Sequence, residues 1–113
     1  MKLREWAKRI VISRSKFTAY ALNPEDDRGR DKAIVFEQAL GFTLDNYEDL
    51  LQQIQAEALD GEATLIREDQ FGKHLRVDLQ IMGRLGQSAR VRTGWRIPSN
   101  SDEALLVTLF VKG

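Results

Sequence analysis

The sequence predicts an α+β fold, with N-terminal helices packed on one face of a roughly four-stranded antiparallel meander sheet. Three observations lead there. Up to Gly61 the apolar residues recur about every 3.6 positions, and beyond it they alternate with a period of two. Short glycine-bearing breaks, QFG and GRLGQ, separate the alternating runs as hairpin turns do. No internal repeat, low-complexity stretch or linker divides the chain, so residues 1–113 read as a single α+β domain.

The opening MKLREWAKRIVIS supports two readings. Leu3, Trp6 and Ile10 fit a short helix, while the β-branched RIVI fits a brief strand. In SRSKFTAYALNP, Ser13 or Ser15 can cap a short helix carrying Phe17, Tyr20, Ala21 and Leu22, and Asn23-Pro24 stops it. PEDDRGR is a polar loop. Asp31 is the expected cap of DKAIVFEQAL, with Ile34, Phe36, Ala39 and Leu40 apolar and Gly41 suited to the C′ position. Asp45 is the expected cap of NYEDLLQQIQAEAL, where Tyr47, Leu50, Leu51, Ile54 and Leu59 keep a helical period until Gly61. Four strands follow: ATLIRED, HLRVDLQIM, SARVRTGWRI and ALLVTLFVK, the last after the loop PSNSDE.

Composition excludes several classes. There is no cysteine, which removes disulfides, thiolate nucleophiles and cysteine metal sites. A single histidine, His74, rules out a multi-histidine zinc site within one chain. No metal and no cofactor are therefore expected. No apolar run approaches the roughly 20 residues that span a bilayer, so no membrane partner is expected. The basic start lacks a long apolar region and a small-residue cleavage site, which argues against a signal peptide, and the absence of cysteine fits the cytoplasmic location expected.

Net charge is zero, but the charges are unevenly placed. Residues 1–16 carry Lys2, Arg4, Lys8, Arg9, Arg14 and Lys16 against Glu5. Residues 71–97 carry Lys73, Arg76, Arg84, Arg90, Arg92 and Arg96 against Asp78. A nucleic-acid patch, if present, belongs in that second stretch.

Alternation sorts the strands by face. Leu75, Val77, Leu79 and Ile81 form the core set of one strand, leaving His74, Arg76, Asp78 and Gln80 outside. Ala89, Val91, Trp95 and Ile97 form the core set of the next, with Thr93 among them; Arg90, Arg92, Gly94 and Arg96 lie outside. Pairing Ile81 with Ala89 sets Asp78 opposite Arg92 and Arg76 opposite Gly94. A shift by two would instead set Asp78 opposite Arg90 and Arg76 opposite Arg92. A one-residue slip is forbidden, because it would invert the faces. In the last strand Leu105, Val107, Leu109 and Val111 are expected inside, and Leu106, Thr108 and Phe110 on the arginine-rich face. Trp95 reads as a core anchor.

An imidazole, several guanidinium groups, a hydroxyl and an aromatic ring thus share one face. Arginine forks match phosphate oxygens, a histidine can act as acid or base near neutral pH, and an aromatic ring can stack on a base. RNA cleavage without metal needs little more, because the substrate's 2′-hydroxyl is the nucleophile. The ordinary alternative is that arginines solvate the wet face of a sheet. Asp26, Asp27 and Glu25 read as a solvated loop, GRLGQ as a turn without P-loop spacing, and Ser13 and Ser15 as caps rather than nucleophiles.

KFTAYALNP, GRDKAIVFEQALGFTLDNYEDLLQQI, FGKHLRVDLQIMG, ARVRTGWRI and LLVTLF together resemble an uncharacterised bacterial domain family, frequent in cyanobacteria and often labelled "adhesin". The resemblance runs from about Lys16 to Phe110, and Gly29–Phe42 and Val91–Trp95 carry its more specific motifs. The order of helices followed by strands also resembles, at fold level, the ribonuclease toxins of the barnase, EndoU, colicin and RelE type. That likeness implies His74 as acid/base, Arg76 and Arg92 as phosphate ligands and Thr108 as a late-strand hydroxyl; the basic residues Lys73, Arg90 and Arg96 and the aromatic Phe110 are the further RNA contacts expected from the sequence itself. It also implies RNA as substrate and a cognate antitoxin or immunity protein as partner. The chain departs from the pattern in its zero net charge, in Phe71 where tyrosine is expected, and in lacking a proline after the last strand's threonine. The expected function is a metal-independent ribonuclease toxin. The alternatives are a non-catalytic protein-binding module and an accessory structural domain, each using the arginine-rich face. Dimerisation through a sheet edge stays open.

Overall fold

A computed structural model describes residues 1–113. Helices α1 (Arg30–Leu40) and α2 (Tyr47–Glu57) precede strands β2 (Ala63–Asp69), β3 (Gly72–Met82), β4 (Ser88–Ile97) and β5 (Glu103–Val111). A short strand, β1 (Arg9–Val11), comes before the helices and pairs in parallel with β5. The sheet is therefore five-stranded and mixed, in the order β1-β5-β4-β3-β2. This corrects the four-stranded antiparallel reading. Both readings of the opening apply in part: Leu3–Glu5 is a 3₁₀ turn, and the β-branched pair in Arg9-Ile10-Val11 takes the strand.

That opening segment crosses the sheet. Ala63 N donates to Met1 O at 2.8 Å beside one edge strand, and Lys8 N donates to Asp102 O at 2.8 Å beside β5. Along it Leu3, Ala7 and Ile10 are buried, so a basic segment is held down by its apolar residues. Phe17–Ala21 forms a short π-helix with Phe17 and Ala21 buried. Its N-cap is Lys16, not Ser13 or Ser15, whose hydroxyls bond each other at 2.8 Å.

Both helix caps differ from expectation. Gly29 is the N-cap of α1 and Asp31 lies in its first turn, where its charge faces the positive end of the helix dipole. Asp26 takes the capping duty in the loop, accepting from Gly29 N at 2.8 Å and Arg28 N at 3.1 Å. In α1 the buried set is Ala33, Phe36 and Leu40, while Ile34 is 45% exposed. Gly41 ends the helix at φ 75°, as a glycine C′ residue does. Asn46, not Asp45, is the N-cap of α2. Its amide accepts from Thr43 N at 2.8 Å and donates to Gly41 O at 3.1 Å, tying the interhelical loop together.

The helices cover one face of the sheet, α1 against β4 and β5, and α2 against β3. Gln53 fixes the α2 contact by a two-way bond: its side chain donates to Met82 O at 2.8 Å and accepts from Met82 N at 2.9 Å. Arg84 pairs with Asp49 beside it. Phe17, Phe36, Phe42, Leu50 and Ile54 meet Leu75, Val77, Leu79, Ile81, Val91, Trp95 and Leu109 in one core. Trp95 is 1% exposed and donates to Thr93 Oγ1 at 2.7 Å, which in turn donates to Val77 O at 2.7 Å. A buried indole and hydroxyl thus satisfy each other. No helix is long and apolar enough to cross a membrane.

The β3–β4 register pairs Ile81 with Ala89, Asp78 with Arg92 and Arg76 with Gly94. This is the first of the two registers that the alternation allows. In β5 the expected faces hold only after residue 107. A bulge sets Gly94 opposite Thr108 but Trp95 opposite Leu106, leaving Val107 as the extra residue. Ala104 and Leu106 are therefore buried, not Leu105 and Val107. Leu106 leaves the arginine face, and Leu105, opposite Arg96, joins it.

Candidate outer-face cleft

The sheet face turned away from the helices is read row by row across the strands. One row runs Thr64, Arg76, Gly94, Thr108. The neighbouring rows are Asp78, Arg92, Phe110 on one side and Arg67, His74, Arg96, Leu105 on the other. A cleft of about 320 Å³ opens over these rows, and His74, Arg76, Arg92, Thr108 and Phe110 all line it. Its floor is Gly94, where a Cβ would stand 2.9 Å from Thr108 Cγ2. Ile66 and Val107 complete the walls. Both are bulge residues, at the register shifts of β2 and β5.

His74 is held by a partner the sequence did not single out. Its Nε2 lies 3.0 Å from Asp69 Oδ1 across the β2–β3 hairpin. Asp69 also accepts from Phe71 N at 2.9 Å and from Arg67 Nε at 3.3 Å. The His74 bond first, then the Phe71 amide and Arg67, hold the Asp69 carboxyl below the usual range despite some desolvation. The carboxylate fixes the ring by one nitrogen. The other, Nδ1, has no protein partner. The only buried side-chain polar atom left unpartnered is Trp6 Nε1, so His74 Nδ1 reaches solvent. The side chain is otherwise well covered, 17% exposed.

The arginines differ from one another. Arg92 is gripped by Asp78, Nε to Oδ1 at 2.9 Å and Nη2 to Oδ2 at 3.0 Å. That fork lowers the Asp78 carboxyl, with the charges of Arg76 and Arg90 adding to it against partial desolvation. Arg76 and Arg90 make no ion pair of their own. Arg96 donates Nη1 to Phe71 O at 3.1 Å and stands outside the cleft lining. Lys73 pairs with Ile97 in register, on the helix side of the sheet, and its amine lies 3.6 Å from Glu68. Of the eight expected residues the cleft thus gathers His74, Arg76, Arg92, Thr108 and Phe110, and leaves Lys73, Arg90 and Arg96 outside its lining.

What lies behind Thr108, outside the cleft lining, has no counterpart in the sequence reading. β1 covers only residues 103–105 of β5, so the later part of that edge is open to the π-helix and α1. Tyr20 and Lys32 reach over it. Tyr20 OH lies 3.2 Å from Thr108 Oγ1, Lys32 Nζ lies 3.2 Å from the same oxygen, and Lys32 also bonds Tyr20 OH. The ammonium sits 4.4 Å from the Tyr20 ring centre and 5.4 Å from that of Phe110. Tyr20 reads in sequence as one more apolar residue of a helix, and nothing in the spacing connects it to position 108. Asp69 is different: with the hairpin register in hand it is the diagonal neighbour of His74. No three His, Cys, Asp or Glu side chains gather as a metal-ligand set.

Residues 2–113 match the family described as "Domain of unknown function (DUF6883)". No curated protein and no solved structure matches the chain. An uncharacterised domain family was the expectation from the KFTAYALNP to LLVTLF motifs, and the chain belongs to the DUF6883 family over almost its whole length.

Proposed function

We propose that this domain is a metal-independent ribonuclease of the toxin type, acting in the outer-face cleft. The observation that carries the reading is the convergence of His74, Arg76, Arg92 and Thr108 on one cavity of about 320 Å³. His74, oriented by Asp69 through Nε2, takes the 2′-hydroxyl proton at its free Nδ1. Arg76, unpaired, holds the non-bridging phosphate oxygens and the charge that grows on them. The new 2′-oxygen–phosphorus bond forms as the bond to the 5′-oxygen breaks, giving a 2′,3′-cyclic phosphate and a 5′-hydroxyl. Arg92, half-committed to Asp78, shapes the cleft and adds charge.

The test combines two arms. Purified protein in excess chelator is given an RNA oligonucleotide and its 2′-deoxy counterpart, with products read by mass spectrometry. Inducible expression in bacteria is followed by growth and RNA profiling. Cyclic-phosphate ends from RNA only, and growth arrest, are expected from wild type; both are lost in His74→Ala. Absence of RNA turnover and of toxicity from wild type would falsify the reading. One feature favours a protein-binding role for a neighbouring surface: Leu65, Ile66 and Phe71 are 41%, 49% and 58% exposed along β2 and its hairpin. As part of a toxin this edge suits an antitoxin; in a non-catalytic module it suits the sole partner, and pull-down without RNA turnover distinguishes that case.

A further inference from the structure

The Lys32, Tyr20 and Thr108 cluster has a surplus that can be counted. Lys32 carries only donors and bonds both oxygens. The two hydroxyls bring one hydrogen each, and one bond joins them. Neither hydroxyl oxygen makes any further bond in the protein. One hydroxyl hydrogen is therefore left over, whichever group donates within the pair. Lys32 has no carboxylate in bridging range, so no anion competes with the two oxygens for its charge. Burial by itself would raise the Tyr20 phenol, but the bonds from Lys32 and Thr108 and the charges of Lys32 and Arg28 outweigh it and hold it below the usual tyrosine value. Thr108 lines both the cleft of about 320 Å³ and an adjoining cavity of about 580 Å³ that Tyr20 lines. It stands where the two spaces meet.

Resting on the ribonuclease reading, we propose that Thr108, Tyr20 and Lys32 form a proton relay that protonates the leaving 5′-oxygen. As the phosphorus–oxygen bond breaks, Thr108 Oγ gives its hydrogen to that oxygen and takes the Tyr20 hydrogen in its place. The phenolate left behind faces the Lys32 ammonium. The attacking and leaving ends of the substrate are thus served from opposite sides of the sheet face, β3 for His74 and β5 for the relay. Thr108 is the catalytic residue, and Tyr20 and Lys32 act through it.

The experiment compares two substrates. One is an RNA dinucleotide, whose 5′-alkoxide must be protonated. The other is uridine 3′-(4-nitrophenyl phosphate), whose nitrophenolate leaves without a proton. Thr108→Val and Tyr20→Phe should each lower kcat on the dinucleotide about a hundredfold and leave cleavage of the nitrophenyl ester within a few-fold of wild type. Thr108→Ser should retain dinucleotide activity. His74→Ala should lose both substrates. In Lys32→Met the alkaline limb of the dinucleotide pH–rate profile should move to higher pH, because the phenol loses its cationic neighbour. Equal losses on both substrates in Thr108→Val and Tyr20→Phe would overturn the relay and leave the ribonuclease reading standing. Wild type inert on both substrates would overturn the two together.

Discussion

Asp78 and Arg92 face each other directly across β3 and β4 and share a two-pronged bond, 2.9 and 3.0 Å. Both side chains are mostly covered, Asp78 27% and Arg92 22% exposed, so the pair is less screened than a surface bridge. Its consequence is a division of labour between two arginines adjacent on the same face. Arg92→Met leaves the Asp78 carboxylate without its fork and should lower stability by about 1–2 kcal/mol. Arg76 has no such partner. Arg76→Met should leave the urea midpoint nearly unchanged while lowering kcat/KM for RNA about ten- to hundredfold, the worth of a charge-assisted phosphate contact. Equal effects of the two changes on stability would count against the division.

The same pair gives the fold an acid limit. The Asp78 carboxyl is lowered first by its bond to Arg92, and the Asp69 carboxyl first by its bond to His74. A group lowered in the folded state stabilises it fully above its unfolded value, about 3.9. That contribution fades as pH falls through the lower folded value. The thermal midpoint should therefore drop as the solution is acidified below about pH 4. In Asp78→Asn the drop should be shallower, starting from a lower midpoint. An Asp78→Asn profile parallel to wild type would show that the pair does not contribute to the acid loss.

Periodicity narrows the β3–β4 hairpin to two registers, because over eleven and ten residues of alternation the hydrophobic set must stay on one face. β5 defeated the same logic. Its run ALLVTLFVK is apolar on both parities, so nothing in it marks where a residue is extra. The bulge at Val107 shows only in its pairing with β4. β1 was hard to assign for a related reason: three residues pair with a strand more than ninety positions away. The half of the cleft built by β3 and β4 is legible in the sequence, whereas the Tyr20 and Lys32 cluster behind Thr108 depends on how the π-helix and α1 fold over the open β5 edge.

Gly94 is where packing and site geometry meet. Its φ is not of the left-handed kind, so the backbone does not require glycine there. The space does: a Cβ would press on Thr108 Cγ2 at 2.9 Å, and any longer side chain would rise into the cleft between Arg76 and Thr108. Gly94→Leu should abolish RNA cleavage while the far-ultraviolet circular dichroism stays like wild type. Gly94→Ala should retain the fold and lose part of the activity, since only the threonine methyl must yield. An unimpaired Gly94→Leu would mean that substrate does not enter this cleft.

Thr93 is the one buried polar residue of the core, fully covered on the apolar face of β4. Its hydroxyl accepts from Trp95 Nε1 and donates to Val77 O, both at 2.7 Å, so one oxygen serves an indole two residues away and a carbonyl on the next strand. Thr93→Val keeps the shape and removes that oxygen. The buried indole N–H then has no acceptor, and the change should cost about 1–3 kcal/mol. Thr93→Ser keeps the oxygen and loses a methyl, which should cost about 1 kcal/mol. Trp95→Phe, which removes the donor, should recover part of the Thr93→Val loss in the double variant, because no orphaned N–H remains. The check is a double-mutant cycle in urea: a coupling near zero between positions 93 and 95 would show that the bond carries no net stability.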